Sequence, residues 1–97
     1  MSVLMVRSKA KSERVAEVDA AATTMFEAIR ATRPKGVRYV SYKLVDGLTY
    51  LAVLQLAEGF ENPLPQMEEF RQFQEGLTDW MAEPPIAAPV TVIGSYG

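Results

Sequence analysis

Val37-Arg38-Tyr39-Val40-Ser41-Tyr42-Lys43-Leu44-Val45-Asp46-Gly47-Leu48-Thr49-Tyr50-Leu51-Ala52-Val53-Leu54-Gln55-Leu56 is the stretch from which the rest of the chain can be placed. Two runs rich in β-branched and aromatic residues, Val37 to Val45 and Leu48 to Leu56, flank Asp46-Gly47, a pair that tolerates the positive φ angles of a type I′ turn. The pattern predicts a hairpin. A two-residue loop sets Val45 opposite Leu48, and so Lys43 opposite Tyr50, Ser41 opposite Ala52, Tyr39 opposite Leu54 and Val37 opposite Leu56 on one face. The other face then pairs Leu44 with Thr49, Tyr42 with Leu51, Val40 with Val53 and Arg38 with Gln55. Both faces are largely apolar.

Upstream, Val3 to Ala10 opens with Val3, Leu4, Met5 and Val6 and then alternates, which suits a buried strand. Val15, Val18, Ala22, Met25, Phe26 and Ile29 recur at steps of three and four, so a helix of about 20 residues follows, stopped by Pro34 and Gly36. Ser12 stands as its N-cap. Glu13, Glu17 and Asp19 fall toward its positive end, and Arg30 and Arg33 toward its negative end.

Downstream, Glu58 to Pro65 reads as a connection, and Met67, Phe70, Phe73, Leu77, Trp80 and Met81 make the stripe of a second helix ended by Pro84-Pro85. Gly76 lies inside that helix at a cost of roughly 1 kcal/mol against alanine, which marks close packing. An extended link, Ile86 to Pro89, leads to a last strand at Val90-Thr91-Val92-Ile93. The order is β-α-β-β-α-β, the ferredoxin-like α+β pattern: a four-stranded antiparallel sheet with both helices on one face. The dense apolar runs of the first and third strands put these two in the centre. Arg38 and Lys43 put the second strand at an edge.

Two helices cover one face of such a sheet, yet apolar side chains point to both. At roughly 25 cal/mol per Å², leaving the second face in water forfeits several kcal/mol, a large share of a small domain's stability. A second copy packed sheet to sheet is the simplest cover, so a homodimer is expected. The face formed by Tyr39, Ser41, Lys43, Tyr50 and Ala52 is expected to look toward the helices, because its third-strand members are more continuously apolar.

With 97 residues, the chain has room for one domain, residues 1–97. It contains no cysteine and no histidine. Disulfides, thiolate or imidazole metal sites, a cysteine nucleophile and Ser-His-Asp chemistry are thereby excluded. No stretch approaches a signal sequence or a membrane span, so a cytoplasmic protein is expected. Residues 1–43 carry a net charge of +5 and residues 44–97 one of −7. That asymmetry fits solvated surface charge, complementarity within the chain or docking of a two-fold partner, and gives no support to nucleic-acid binding. An RNA-recognition module shares the element order, but the first strand has no aromatic residue and the third lacks the glycine and aromatic motif.

Element order, length, the long apolar third strand and the segment Glu68-Glu69-Phe70-Arg71-Gln72-Phe73-Gln74 together resemble the dimeric α+β-barrel proteins related to antibiotic-biosynthesis monooxygenases. The resemblance spans nearly the whole chain. It implies two ferredoxin-like subunits with their sheets packed into a barrel, and in each subunit a cleft between helices and sheet for an aromatic or polyketide-type molecule. Some members oxygenate such a molecule without metal or flavin, and others bind and degrade haem. The present chain has Leu56-Ala57 where members often carry a tryptophan, and Phe73-Gln74 where haem-degrading relatives place a histidine, so haem ligation by that route is not available. Asn62 lies where monooxygenase relatives use an asparagine, although Pro63 beside it fits an N-cap role equally well.

The candidate ligand-binding residues are Tyr39, Ser41, Lys43 and Tyr50 on the hairpin, Asn62 on the connection, and Phe70, Phe73 and Trp80 on the second helix. Small Ser41 opposite small Ala52, between larger neighbours, could leave a concavity. Tyrosines offer an apolar ring with a polar tip, and Lys43 suits an enolate or phenolate. Ordinary packing is the competing reading for each of them. The trailing carboxylates Glu75 and Asp79, one turn apart, read as a solvated face, and no metal site or cofactor is expected. The function expected is a cofactor-independent, monooxygenase-like protein for an aromatic metabolite; the alternative is a non-catalytic ligand-binding or assembly domain of the same barrel.

Overall fold

The computed structural model describes residues 2–97; Met1, which begins the apolar N-terminal run, lies outside the described residues. The strands are β1 (Ser2–Lys9), β2 (Val37–Lys43), β3 (Thr49–Leu56) and β4 (Ile86–Val90), and the helices are α1 (Val15–Thr32) and α2 (Glu68–Trp80), with 3₁₀ turns at Ser12–Arg14 and Leu64–Gln66. They form one antiparallel sheet in the order β2-β3-β1-β4, the ferredoxin-like arrangement with β1 and β3 in the centre.

The hairpin has the expected register, from Val37 opposite Leu56 to Lys43 opposite Tyr50. Its turn differs. Among the described residues the only non-glycine with positive φ is Arg33, so Asp46 does not adopt the left-handed conformation of a type I′ turn, whereas Gly47 does, at φ 71°. Leu44 accepts from the Gly47 N–H at 2.9 Å, closing a four-residue turn one position earlier. The reason is the Asp46 carboxylate. It accepts from the backbone N–H groups of Leu48 and Thr49, both at 2.8 Å, and from the Thr49 hydroxyl at 2.6 Å, which satisfies Thr49, the one buried polar residue among the described residues. This side-chain turn replaces the second left-handed residue.

Helix α1 ends where the sequence requires. The residue before a proline avoids the right-handed helical region, and Arg33, before Pro34, takes the left-handed conformation (φ 51°, ψ 57°) while donating its N–H to the Ile29 carbonyl. Ser12 is not a cap: its hydroxyl points to Glu13, no side chain caps α1, and the 3₁₀ turn supplies the entry instead.

The last strand lies four residues earlier than the sequence pattern suggested. It is Ile86–Val90, not Val90 to Ile93, and residues 91–97 carry no regular structure. Pro89 is the cause of the misreading. It cannot donate to a ladder, but β4 is an edge strand paired only with β1, where a proline is tolerated. Pairing Leu4 with Pro89 and Val6 with Ala87 puts β4 beside the apolar N-terminal run.

The core sits between α1, the end of β1 and the end of α2. Ala10, Val18 and Met81 form its buried centre, with Val15, Tyr50, Phe73, Leu77 and Trp80 packed around them. Backbone bonds from Lys11 N–H to the Trp80 carbonyl and from Ala82 N–H to the Lys9 carbonyl, both 2.8 Å, tie the end of α2 to β1. Leu64, which the pattern placed in an ordinary connection, is fully buried.

Thr49, above all, and then the two amides hold the Asp46 carboxyl at about 2, below its ordinary 3.8. A carboxylate depressed by folding adds stability above its unfolded value and loses it as pH falls through the folded one. Asp46→Ala is therefore expected to lower the thermal midpoint near pH 7, with the gap to wild type closing between pH 3.8 and about 2. Thermal melts followed by circular dichroism across that range check it, and a gap of constant size would contradict it.

Candidate functional site

The alternation of each strand sends one set of side chains toward α1 and α2, and it is the set containing Tyr39, Ser41, Lys43, Tyr50, Ala52 and Leu54, as expected. Register then stacks these side chains in rows across the sheet. Ser41, Ala52, Val6 and Ala87 are successive neighbours in one row; Tyr39, Leu54, Leu4 and Pro89 form the next, and Lys43, Tyr50 and Ser8 the row on the other side. Small side chains in the middle row fail to fill the gap to the helices. A partly open cleft of about 610 Å³ remains, walled mainly by apolar atoms. Such a volume lies within the range of small-molecule sites.

From the sheet, Tyr39, Ser41, Lys43 and Tyr50 line the cleft; from α2, Phe70 and Phe73 do; and Asn62 reaches it from the connection. Trp80 does not. Its indole folds back over Gly76, so close that a Cβ there would stand 2.2 Å from the ring, and it packs tilted against Phe73 at 6.1 Å between centroids. Gly76 is thus the close approach that its place inside a helix implied. Asn62 uses its side-chain oxygen to accept from the Leu64 N–H at 3.0 Å, holding the entry to the 3₁₀ turn before α2. Glu75 and Asp79 are exposed, and among the described residues no group of three or more acidic, His or Cys side chains is placed to hold a metal ion.

One end of the cleft is aromatic. Tyr39 stacks on Phe26 of α1 at 5.2 Å and meets Phe70 of α2 edge-on at 6.2 Å, so both helices clamp its ring. Burial pushes the Tyr39 phenol up from its ordinary value. The other end is polar. The Tyr50 hydroxyl donates to Asp19 Oδ1 at 2.7 Å, Lys43 Nζ donates to Asp19 Oδ2 at 2.6 Å, and the Lys43 ammonium lies 5.6 Å from the centre of the Tyr50 ring.

Desolvation raises the Asp19 carboxyl, but the hydrogen bonds from Lys43 and Tyr50 and the Lys43 charge outweigh it and leave it below its ordinary range. Desolvation first, and then the hydrogen bond to Asp19 and its negative charge, push the Tyr50 phenol well above its own. At neutral pH the polar end is therefore a carboxylate that accepts from the Lys43 side chain on one oxygen and from a neutral phenol on the other.

Asp19 is a site residue that the sequence reading missed, having treated it as a helix-end acid. The signal was present. Val15, Asp19, Ala22 and Phe26 follow one another at steps of four, three and four, so Asp19 belongs to the stripe of α1 that faces the sheet. Ala87 was missed for another reason, the misplaced last strand.

No protein-family model and no curated protein sequence matches the chain. Solved structures do share its fold. A Nitrosomonas europaea protein provisionally named an antibiotic biosynthesis monooxygenase superimposes with a TM-score of 0.80 at 16% identity, covering 97% of this chain and 100% of that one. Rv0793 from Mycobacterium tuberculosis gives 0.77 at 13% identity, over 99% of this chain and 98% of its own. A Bacteroides thetaiotaomicron protein with the same provisional name as the first gives 0.76 at 17%, covering 95% and 89%. The chain has the ferredoxin-like fold of antibiotic biosynthesis monooxygenase-like structures.

Gly76→Ala supplies a test of the packing. Its higher helix propensity would favour the variant by about 1 kcal/mol, but the added methyl displaces the indole from the core. Stability measured by denaturant unfolding is expected to fall, with a red shift of the Trp80 emission; a more stable variant with unchanged emission would contradict the packing described.

Proposed function

We propose that the chain is a monooxygenase-like protein that takes a small aromatic or polyketide-type metabolite into this cleft and oxygenates it without a cofactor. The observation that carries the reading is the open space between helices and sheet, aromatic at one end and bearing Tyr50, Lys43 and Asp19 at the other. A cleft plugged by its own side chains would have favoured a purely structural role. The names of the fold neighbours point the same way.

The chemistry must suit what the cleft offers. With no histidine in the chain, with Asp19 held below its ordinary range and with Tyr39 and Tyr50 pushed above theirs, no strong base faces the ligand. A substrate that ionises readily is therefore required, such as an anthrone, whose CH₂ lies between aryl rings and in conjugation with a carbonyl. Loss of one proton gives an enolate, which the Lys43 ammonium stabilises. The carbanion carbon passes an electron to O₂, and the carbon radical and superoxide join as a peroxide anion, which takes back the proton lost in the first step. The hydroperoxide then loses water, breaking its C–H and O–O bonds, to leave a ketone. One oxygen atom of O₂ ends in the product and the other in water, and the protein orients the ring and excludes solvent.

The weak bases also favour a second reading, a barrel that binds its ligand and performs no reaction. Oxygen-electrode measurements with anthrone separate the two. The expected result is equimolar consumption of oxygen and formation of anthraquinone, with Lys43→Ala slower by about 100-fold; saturable binding with no oxygen uptake above the uncatalysed rate would move the protein to the second reading.

The assembly that goes with this function is a cytoplasmic homodimer joined sheet to sheet. Val40, Leu51, Val53 and Met5 alternate away from the cleft, half-buried, on the face opposite both helices, and Tyr42 beside them is 55% exposed. Among the described residues two ion pairs, Arg14 with Glu17 and Lys43 with Asp19, lie within the basic first half of the chain. Sedimentation equilibrium is expected to return twice the chain mass, and Val40→Glu to return the chain mass; a wild-type monomer at high concentration would defeat the dimer.

A further inference from the structure

Asp19 has both carboxylate oxygens engaged, one by Tyr50 and one by Lys43. A carboxylate has no proton to give, so the direction of the first bond is fixed: the Tyr50 O–H points at Asp19 and away from any ligand. The low proton affinity of Asp19 and the high one of Tyr50 keep it so at neutral pH. A phenol has one proton and an oxygen with two acceptor positions. The proton is spent on Asp19, among the described residues no donor reaches the Tyr50 oxygen, and Tyr50 belongs to the cleft wall.

We propose that Asp19 is a positioning residue which, by holding the Tyr50 proton, turns the Tyr50 oxygen into a pure acceptor and makes the cleft select aromatic ligands that donate a hydroxyl over those whose oxygen can only accept. A ligand hydroxyl placed there donates to Tyr50. A ligand ether or isolated carbonyl placed there meets lone pairs with lone pairs and leaves both oxygens without a partner in a partly desolvated site, which is the costly case. Removing Asp19 frees the Tyr50 O–H to turn into the cleft and serve either kind of ligand. The selectivity thus resides in a residue that need not touch the ligand.

The proposal rests on the cleft being a small-molecule site, and a pair of probes separates the two claims. 2-Naphthol and 2-methoxynaphthalene share a ring system, but only the first can donate. Isothermal titration of both against wild-type protein is expected to favour 2-naphthol by about tenfold. In Asp19→Ala the ratio falls toward one, chiefly because 2-methoxynaphthalene binds better. In Tyr50→Phe it falls because 2-naphthol binds worse, while the ether is unaffected. A residue acting only through stability would shift both probes together and leave the ratio alone; Tyr50→Phe carries the comparison if Asp19→Ala does not fold. Equal affinities for wild type, or a ratio that survives in Tyr50→Phe, would overturn the proposal and leave ligand binding intact. Failure of both probes to bind wild type would overturn the small-molecule reading and the proposal with it.

Discussion

The cleft depends on a steric shortfall along one row of the sheet. Ser41, Ala52 and Ala87 have side chains too short to reach the helices, and Val6 between them adds little. The neighbouring rows are different. Tyr39 on one side, and Tyr50 and Lys43 on the other, extend far enough to touch α1 or α2 and so hold the layers apart. A helix layer resting on tall rows with a short row between them must leave space, because a side chain cannot stretch and the backbone separation is set by the tallest contacts. Packing and function are thus stated in the same residues.

The polar end of the cleft is balanced in charge. Asp19 and Lys43 cancel, and Tyr50, on the other Asp19 oxygen, stays neutral, so the site offers hydrogen-bond direction more than field. An exposed ion pair of this kind contributes little to stability. Its value lies in geometry, since a carboxylate that accepts from two fixed donors also fixes where their protons point. Trp80 shows the contrary case: a large aromatic on the helix stripe, well suited in principle to a ligand, is taken up by the core through the notch that Gly76 leaves.

Much of the fold was legible in the sequence. The hairpin register followed from alternation and from loop length, and it held even though the turn was built differently, because Asp46 satisfies the same amides through its side chain that a left-handed backbone would have arranged. The order of strands and the face turned to the helices followed from apolar density. Pro89 misled the reading of the last strand because a proline's missing donor is a penalty only inside a sheet, and edge position is a property of the assembled sheet. Seven of the eight residues proposed for the site line the cleft, six by virtue of strand alternation and helix period and Asn62 from the connection, and Trp80 does not.

What the sequence by itself determined about this protein was its elements, their order and the pairing of the hairpin, because propensity, periodicity and turn chemistry act over a few residues at a time. It also determined what chemistry is absent, since a chain without histidine or cysteine lacks those groups in any fold. Only the tertiary structure decided that Asp19 meets Lys43, 24 residues away, and Tyr50, 31 residues away, and that three strands bring Ser41, Ala52 and Ala87 into one row. Those are consequences of how a helix lies across a sheet, and no local pattern encodes the angle and height at which it comes to rest.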